Sequence, residues 1–149
     1  MLKTLTLIFA LCFIFVSSNN ENDSIQIINS GSTNTAGYVI ELQRNGLVKW
    51  NVAPRSHLIL SSTDSPSNLR QLPLAQANNI FETIDSAFPF NQYSPVYCIK
   101  SVSFGTTLRV TYKGQQTPDL NCPMKVQQLA NLSKYIHELI ADLHIQTLG

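Results

Sequence analysis

The sequence predicts an α+β fold: an antiparallel sheet built from two hairpins, each followed by a helix, with a long C-terminal amphipathic helix and one disulfide. Residues 38–52 and 97–112 alternate apolar and polar side chains, as half-buried strand pairs do. Each of these stretches precedes a segment in which apolar residues recur every three or four positions. Strands grouped as hairpins and followed by helices are typical of α+β domains.

Residues 1–18 (MLKTLTLIFALCFIFVSS) have the layout of a secretory signal peptide, with a basic Lys3, an apolar run and two terminal serines. The apolar run is about 12 residues long, whereas a helix that spans a bilayer needs about 20. We therefore expect cleavage after Ser18, no stable membrane anchor after cleavage, and a secreted or periplasmic protein. Residues 19–149 then form a single α+β domain, a natural count at this length.

The composition excludes two classes of function. The chain has ten Lys+Arg against nine Asp+Glu, and 44% of its residues are apolar. Loss of Lys3 with the leader leaves the mature chain formally neutral. Such a chain is neither a disordered polyelectrolyte nor a nucleic-acid binder that acts through bulk positive charge.

Cys98 and Cys122 are the two cysteines that remain once Cys12 is removed with the leader. A pair of cysteines in an exported chain predicts one disulfide, which would join the second hairpin to the start of the last helix. Two free buried thiols are the alternative. A zinc site is disfavoured because two lone cysteines lack paired ligand spacing.

Ser24–Asn29 is a β-type run, and residues 30–35 are a loop. In the hairpin that follows, burial selects the register, because a slip by one residue moves a whole apolar face to solvent. A three-residue loop, 44–46, places every apolar residue on one side, and Gly46 would take the left-handed position. The predicted cross-strand pairs are Leu42 with Val48, Ile40 with Trp50, and Tyr38 with Val52.

Residues 53–70 are rich in Pro, Ser and Thr and predict a loop, in which 57–60 (HLIL) is a candidate edge strand. Residues 71–88 then predict a helix with Pro73 in its first turn. Its apolar stripe comprises Leu74, Ala77, Phe81, Ile84 and Phe88.

The second predicted hairpin joins residues 97–104 to 108–112 through the loop 105–107. Lys100 does not fit this hairpin, since it falls on the apolar face near Tyr112. Pro123 is expected to open the last helix, which would run to about residue 146. The apolar stripe of that helix comprises Val126, Leu129, Leu132, Ile136, Leu139, Ile140 and Leu143.

The sequence contains no GxSxG, HExxH or Gly-rich phosphate loop, so we predict no catalytic, cofactor-binding or metal-binding residue and no cofactor. His137 and His144 are about 10 Å apart along the last predicted helix, too far to share one ion. The nine acidic residues are scattered singly.

The polar connector 114–123 is the candidate partner-binding loop. It is held by a hairpin at one end and by the disulfide and helix at the other, and a pinned loop loses less entropy on binding. Its predicted contact residues are Gly114, Gln115, Gln116, Thr117, Pro118 and Asp119.

A loop at Ser30-Gly31, a strand pair with an Asn-Gly turn, a Leu-rich helix, a second strand pair ending in TYKGQQTPDL and a terminal Leu-rich helix resemble small exported bacterial proteins of uncharacterised function. The element order over residues 24–145 is also similar to that of emfourin-type inhibitors of metalloproteases. Those inhibitors generally lack the export signal and the cysteine pair. The resemblance implies protease inhibition and transfers no individual residue.

These observations predict an exported non-enzymatic domain that binds an extracellular or periplasmic protein, with protease inhibition as its candidate activity. One alternative is an envelope structural or assembly component that pairs through the edge of its sheet. The other is a small hydrolase that uses dispersed carboxylates.

Overall fold

A computed structural model describes residues 23–53 and 68–145 of the chain. The predicted leader and the candidate edge strand 57–60 lie outside the described residues. Within the described residues the α+β class is confirmed: a six-stranded antiparallel sheet packs against two helices. The elements are β1 Ser24–Asn29, β2 Tyr38–Gln43, β3 Leu47–Val52, β4 Asn68–Gln71, α1 Leu74–Ala87, a 3₁₀ helix Phe90–Gln92, β5 Leu108–Tyr112, β6 Gln115–Gln116 and α2 Gln127–Asp142.

The first hairpin has the predicted register. Leu42 pairs with Val48, and Ile40 pairs with Trp50. Ile40, Leu42 and Val48 are fully buried, whereas Glu41 is exposed. Burial of one face has therefore fixed this register, as the alternation indicated.

The second predicted hairpin is wrong, because residues 97–104 form no strand. The sheet order is β4-β3-β2-β1-β5-β6, so β1 occupies one edge of β5. The other edge is taken by β6 and the residues after it: Thr117 N donates to Val110 O at 2.9 Å, and Leu120 N donates to Leu108 O at 2.7 Å. With both edges occupied, β5 has no backbone groups left to pair with residues 97–104.

β4 is a strand that the sequence did not predict. It pairs with β3 at the edge of the sheet, and Trp50 lies opposite Asn68. All four of its residues are exposed. An edge strand that buries neither face has no alternating pattern, so this segment resembled a loop.

The first helix occupies the predicted segment, but its buried face is rotated from the prediction. Leu74 is 61% exposed, whereas Ile80 is buried. The face that packs on the core comprises Ala77, Ile80, Phe81, Ile84 and Ala87.

The last helix begins four residues later than predicted, at Gln127, and ends at Asp142. Residues before it form a turn that is fastened to the sheet, in which Cys122 N donates to Asp119 O at 3.1 Å. Pro123 therefore lies before the helix, between the crosslinked turn and the N-cap residue Val126.

Gly46 gives a first testable prediction. Its φ is +86°, and a Cβ there would lie 2.9 Å from both Leu72 O and Gln71 Nε2. Gly114 has a similar φ of +73° but nothing within 4 Å, so it is a matched control. We expect Gly114→Ala to cost about 1 kcal/mol of unfolding free energy, from the left-handed backbone alone. We expect Gly46→Ala to cost about 2 kcal/mol because the side chain also collides with backbone. Equal losses in urea denaturation would contradict the steric part of this argument.

Candidate functional site

The candidate site is the loop between the 3₁₀ helix and β5, residues 94–107, which we call the stapled loop. Its first part, residues 94–100, contains no turn, bend or helix. Val96, Cys98 and Lys100 are half-buried, whereas Tyr97 and Ile99 are exposed. This period of two is that of an extended chain, with one set of side chains facing the domain and the other facing solvent.

The outward side chains of the stapled loop are large and apolar. Tyr97 is 89% exposed, Ile99 104%, Val102 91% and Phe104 58%. Single exposed apolar residues are normal on protein surfaces, but four of them within eight residues make this loop a candidate interaction surface.

The inward side chains fasten the stapled loop to the domain. Cys98 forms the predicted disulfide with Cys122, with an S–S distance of 2.00 Å and a Cα–Cα distance of 5.6 Å. The bond therefore joins this loop, rather than a strand, to the turn before α2.

Lys100 and Asp119 make the second attachment. Lys100 Nζ donates to Asp119 Oδ2 and to Thr106 O. Asp119 is only 5% exposed, and its Oδ1 accepts hydrogen bonds from Leu108 N at 3.0 Å and Asn121 N at 3.1 Å. Burial raises the pKa of Asp119, but these hydrogen bonds outweigh it and the pKa is lowered. Asp119 is therefore a stable anion, and it holds the side chain of Lys100, and with it the stapled loop, against the domain.

The second half of the stapled loop is fixed by the loop 30–35. Asn34 N donates to Ser103 O at 3.0 Å, and Ser30 N donates to Thr107 O at 3.0 Å. By contrast, the backbone of residues 94–100 makes no hydrogen bond to any other described residue. The extended part therefore has backbone donors and acceptors that another chain can pair with.

The predicted partner-binding residues divide into two groups. Gly114, Gln115 and Gln116 form the turn and the short strand β6, and they are exposed or half-buried. Thr117, Pro118 and Asp119 are buried. Thr117 Oγ1 accepts from Val110 N at 3.0 Å, so this second group completes the edge of β5, and its side chains face the protein interior.

The stapled loop itself was missed as a binding surface because its alternation matches that of a strand. Lys100 was the available signal. A lysine on the apolar side of a predicted strand indicated either an error in the pairing or a buried anion, and both are found here.

A pocket of about 180 Å³ lies beside the extended part of the loop. Its lining includes Tyr93, Pro95, Tyr97, Arg109 and Gln116. It is smaller than the 300–1,000 Å³ typical of small-molecule sites, and it suits a single side chain. Asp119 is the acid in its lining, and Lys100 engages it, so the pocket lacks the carboxylate pair that the hydrolase alternative requires.

Two carboxylates do converge elsewhere in the fold. Tyr112 Oη lies 3.2 Å from Asp23 Oδ2 and 3.3 Å from Asp85 Oδ1. Arg44 bridges the same two carboxylates, at 2.8 Å from Asp23 and 3.1 Å from Asp85, and its guanidinium lies 4.3 Å from the Phe81 ring centroid. This cluster ties the first hairpin to α1 and β5 and does not face the pocket.

His137 and His144, the two histidines within the described residues, have separate surroundings. His137 Nε2 lies 3.1 Å from Asn121 Oδ1, and His144 follows the end of α2 with a φ of 51°. Among residues 23–53 and 68–145, no three His, Cys, Asp or Glu side chains lie close enough together to hold a metal ion. No helix in that part of the chain combines the length and apolar character needed to cross a bilayer.

Comparisons of the chain with protein-family models, with curated proteins and with solved structures find no match. The functional interpretation therefore depends on the geometry of the stapled loop.

Proposed function

We propose that the chain is an exported, non-enzymatic protein-binding domain that inhibits a secreted or envelope peptidase by presenting the stapled loop to it. The observation that carries this proposal is the exposure of Tyr97, Ile99, Val102 and Phe104 on a loop that is fastened at Cys98 and Lys100. A few apolar anchors supply most of the energy of a protein interface. A loop already held in shape loses little entropy when it binds.

The extended backbone favours a peptidase as the partner. Proteins that bind extended peptides pair with the main chain and take alternate side chains into pockets. Within the described part of the chain the main chain of residues 94–100 is unpaired, and Tyr97 and Ile99 lie on its outward side. Cys98 and Lys100 attach the chain on both sides of Ile99, so a cut beside Ile99 would not release either end.

Two features support a location outside the cytosol. The leader predicted over residues 1–18 would direct the chain out of the cytosol. The Cys98–Cys122 disulfide is compatible with an oxidising compartment. Both support a secreted or periplasmic protein.

Inhibition assays test the proposed function. Mature protein, residues 19–149, is titrated against endopeptidases with apolar specificity pockets, such as chymotrypsin, subtilisin and thermolysin. We expect inhibition of at least one of them, and we expect Ile99→Asp to weaken it about 30-fold or more, as loss of an interface anchor does.

Leu69→Asp is the matched control for these assays. Leu69 is 63% exposed on β4, at the opposite edge of the sheet, so the charge should leave inhibition unchanged. Absence of inhibition across the set, or equal inhibition by the Ile99→Asp variant and the unsubstituted protein, would count against the proposal.

A further inference from the structure

We propose that the pocket beside the stapled loop binds the C-terminal residue of a peptide, with the apolar side chain of that residue inside the pocket and its carboxylate on Arg109. The stapled loop lines the pocket through residues 95–97, and β6 and the residues after it line the pocket through residues 116–119. The inference concerns this pocket rather than the exposed outer side of the loop, and it does not depend on peptidase inhibition.

Much of the lining of the pocket is apolar, and the pocket has the size of one ring. Phe90, Tyr93, Val96 and Pro118 are among the lining residues. The volume of about 180 Å³ compares with about 150 Å³ for an engineered apolar cavity that binds benzene. The pocket can therefore take one aromatic or branched aliphatic side chain, and it is too small for a longer segment of peptide.

Arg109 supplies a positive charge at the pocket. Arg109 Nη1 donates to Gln116 Oε1 at 3.1 Å, and both residues line the pocket. This contact with a neutral acceptor holds the guanidinium at the pocket and uses only one of its five donors. In residues 23–53 and 68–145, every ion pair within 4.0 Å involves a cation other than Arg109. The guanidinium can therefore bind a carboxylate from a ligand with two hydrogen bonds.

Asp119, the acid in the lining, does not cancel the charge of Arg109. Lys100 Nζ donates to Asp119 Oδ2, and the amides of Leu108 and Asn121 donate to Asp119 Oδ1. The charges of Asp119 and Lys100 offset each other, so Arg109 leaves the site with a net positive charge. A positive site with apolar walls is complementary to an apolar group that carries a carboxylate.

The main chain of the stapled loop favours a peptide as the source of that carboxylate. Within the described residues, the backbone of residues 94–100 makes no hydrogen bond to another residue. The backbone groups of residues 95–97 can therefore pair with the last amide of a peptide whose side chain occupies the pocket. A C-terminal residue has the carboxylate, the side chain and this amide on neighbouring atoms. A glutamate or aspartate side chain has the carboxylate but no apolar group to fill the interior.

An NMR chemical-shift titration of isotope-labelled mature, oxidised protein with N-acetyl-phenylalanine tests the inference, because this probe reproduces a C-terminal residue and one peptide bond. We expect saturable shifts of backbone amides within residues 93–97 and 109–117. We expect a dissociation constant on the order of 1 mM, as is typical of so small a ligand. N-acetyl-phenylalanine amide lacks the negative charge and should bind at least tenfold more weakly.

Arg109→Gln should weaken binding of N-acetyl-phenylalanine about tenfold, because hydrogen bonds between charged groups are stronger than those between neutral groups. Lys49→Gln is the matched control. Lys49 is an exposed cation on the same face of the sheet. It lies on β3, three strands from β5 and thus about 14 Å away, so its loss should leave binding unchanged. The amide spectra verify that both variants are folded.

Three results would overturn the inference. The first is the absence of saturable shifts at up to about 10 mM N-acetyl-phenylalanine. The second is equal binding of the acid and its amide. The third is equal weakening by Arg109→Gln and Lys49→Gln, which would indicate attraction by overall charge rather than by the pocket.

A further ligand distinguishes a peptide from a free acid. Phenylpropionate has the ring and the carboxylate but no amide, so it should bind more weakly than N-acetyl-phenylalanine. Equally tight binding would overturn the assignment to a peptide in favour of a free aromatic acid. Peptidase inhibition without binding of N-acetyl-phenylalanine removes this inference and leaves the proposed function intact, whereas binding without inhibition does the reverse.

Discussion

Replacement of Asp119 by alanine is expected to destabilise the domain by about 3–4 kcal/mol, because three donors lose their acceptor at once. The carboxylate accepts hydrogen bonds from Lys100 Nζ, from Leu108 N and from Asn121 N. Leu108 is 1% exposed, so water cannot easily replace the carboxylate at its amide. The ammonium of Lys100 would also remain partly buried without its counter-ion.

Urea denaturation at neutral pH measures this loss, with Asp142→Ala as the control. Asp142 also pairs with a cation, Arg70, at 3.4 Å, but both side chains are about 40% exposed. Half-exposed ion pairs contribute about 0–1 kcal/mol. Losses of similar size in the two variants would show that Asp119 does not organise the loop.

Acidification provides a second readout for Asp119. Burial alone raises the pKa of this carboxyl, but Lys100 and the two backbone amides lower it below its ordinary value. A carboxyl whose pKa is lower in the folded than in the unfolded state adds stability that is present above the unfolded pKa of about 3.9. That stability is lost as the pH falls through the folded pKa. We therefore expect Asp119→Asn to flatten this part of the acid denaturation profile.

The first hairpin shows what the sequence alone could predict. The register of β2 and β3 follows from local alternation, because only one register buries Ile40, Leu42 and Val48 together. The pairing involves residues close in sequence, so no information about distant partners was needed.

The prediction of the second hairpin was wrong because β5 pairs with a strand that is distant in the sequence. β5 pairs with β1, in which Ile27 lies opposite Val110, more than eighty residues away. A period of two in residues 97–100 indicates an extended chain and correctly places Tyr97 and Ile99 on the side opposite Lys100. Val102 and Phe104, which the same period places on the Lys100 side, are exposed, because residues 102–104 form a turn. The period also contains no information on whether a strand is available to pair with. The extended conformation was thus predictable and its lack of a strand partner was not.

Half of the residues predicted for the partner-binding loop are buried, for a similar reason. Thr117 and Asp119 are polar residues in a turn-rich segment, which is typical of a solvated connector. In the fold they satisfy the amides of Val110 and Leu108 at the edge of β5. A side chain that replaces a strand partner has the same composition as one that faces solvent, so sequence could not distinguish the two roles.

Removal of the disulfide by Cys98→Ala/Cys122→Ala is expected to cost about 3–4 kcal/mol of unfolding free energy. The crosslink joins residues 24 positions apart, and the unfolded chain gains the entropy of that loop when the bond is absent. Urea denaturation of the double variant measures the loss, and the reduced unsubstituted protein should show a similar one. Titration of the denatured, oxidised protein should find no free thiol among the residues after the leader.

The same variant separates the stability of the domain from the shape of the stapled loop. Without the crosslink, Lys100 and Asp119 still hold one end of the extended segment, whereas Tyr97 and Ile99 lose the attachment between them. Under conditions in which the variant is still folded, a peptidase should therefore cleave it between residues 94 and 100 much faster than it cleaves the oxidised protein. Inhibition of that peptidase by the variant should weaken in parallel. If cleavage there were equally slow in both proteins, Lys100 and Asp119 alone would suffice to hold the segment, and the disulfide would act on the unfolded chain only.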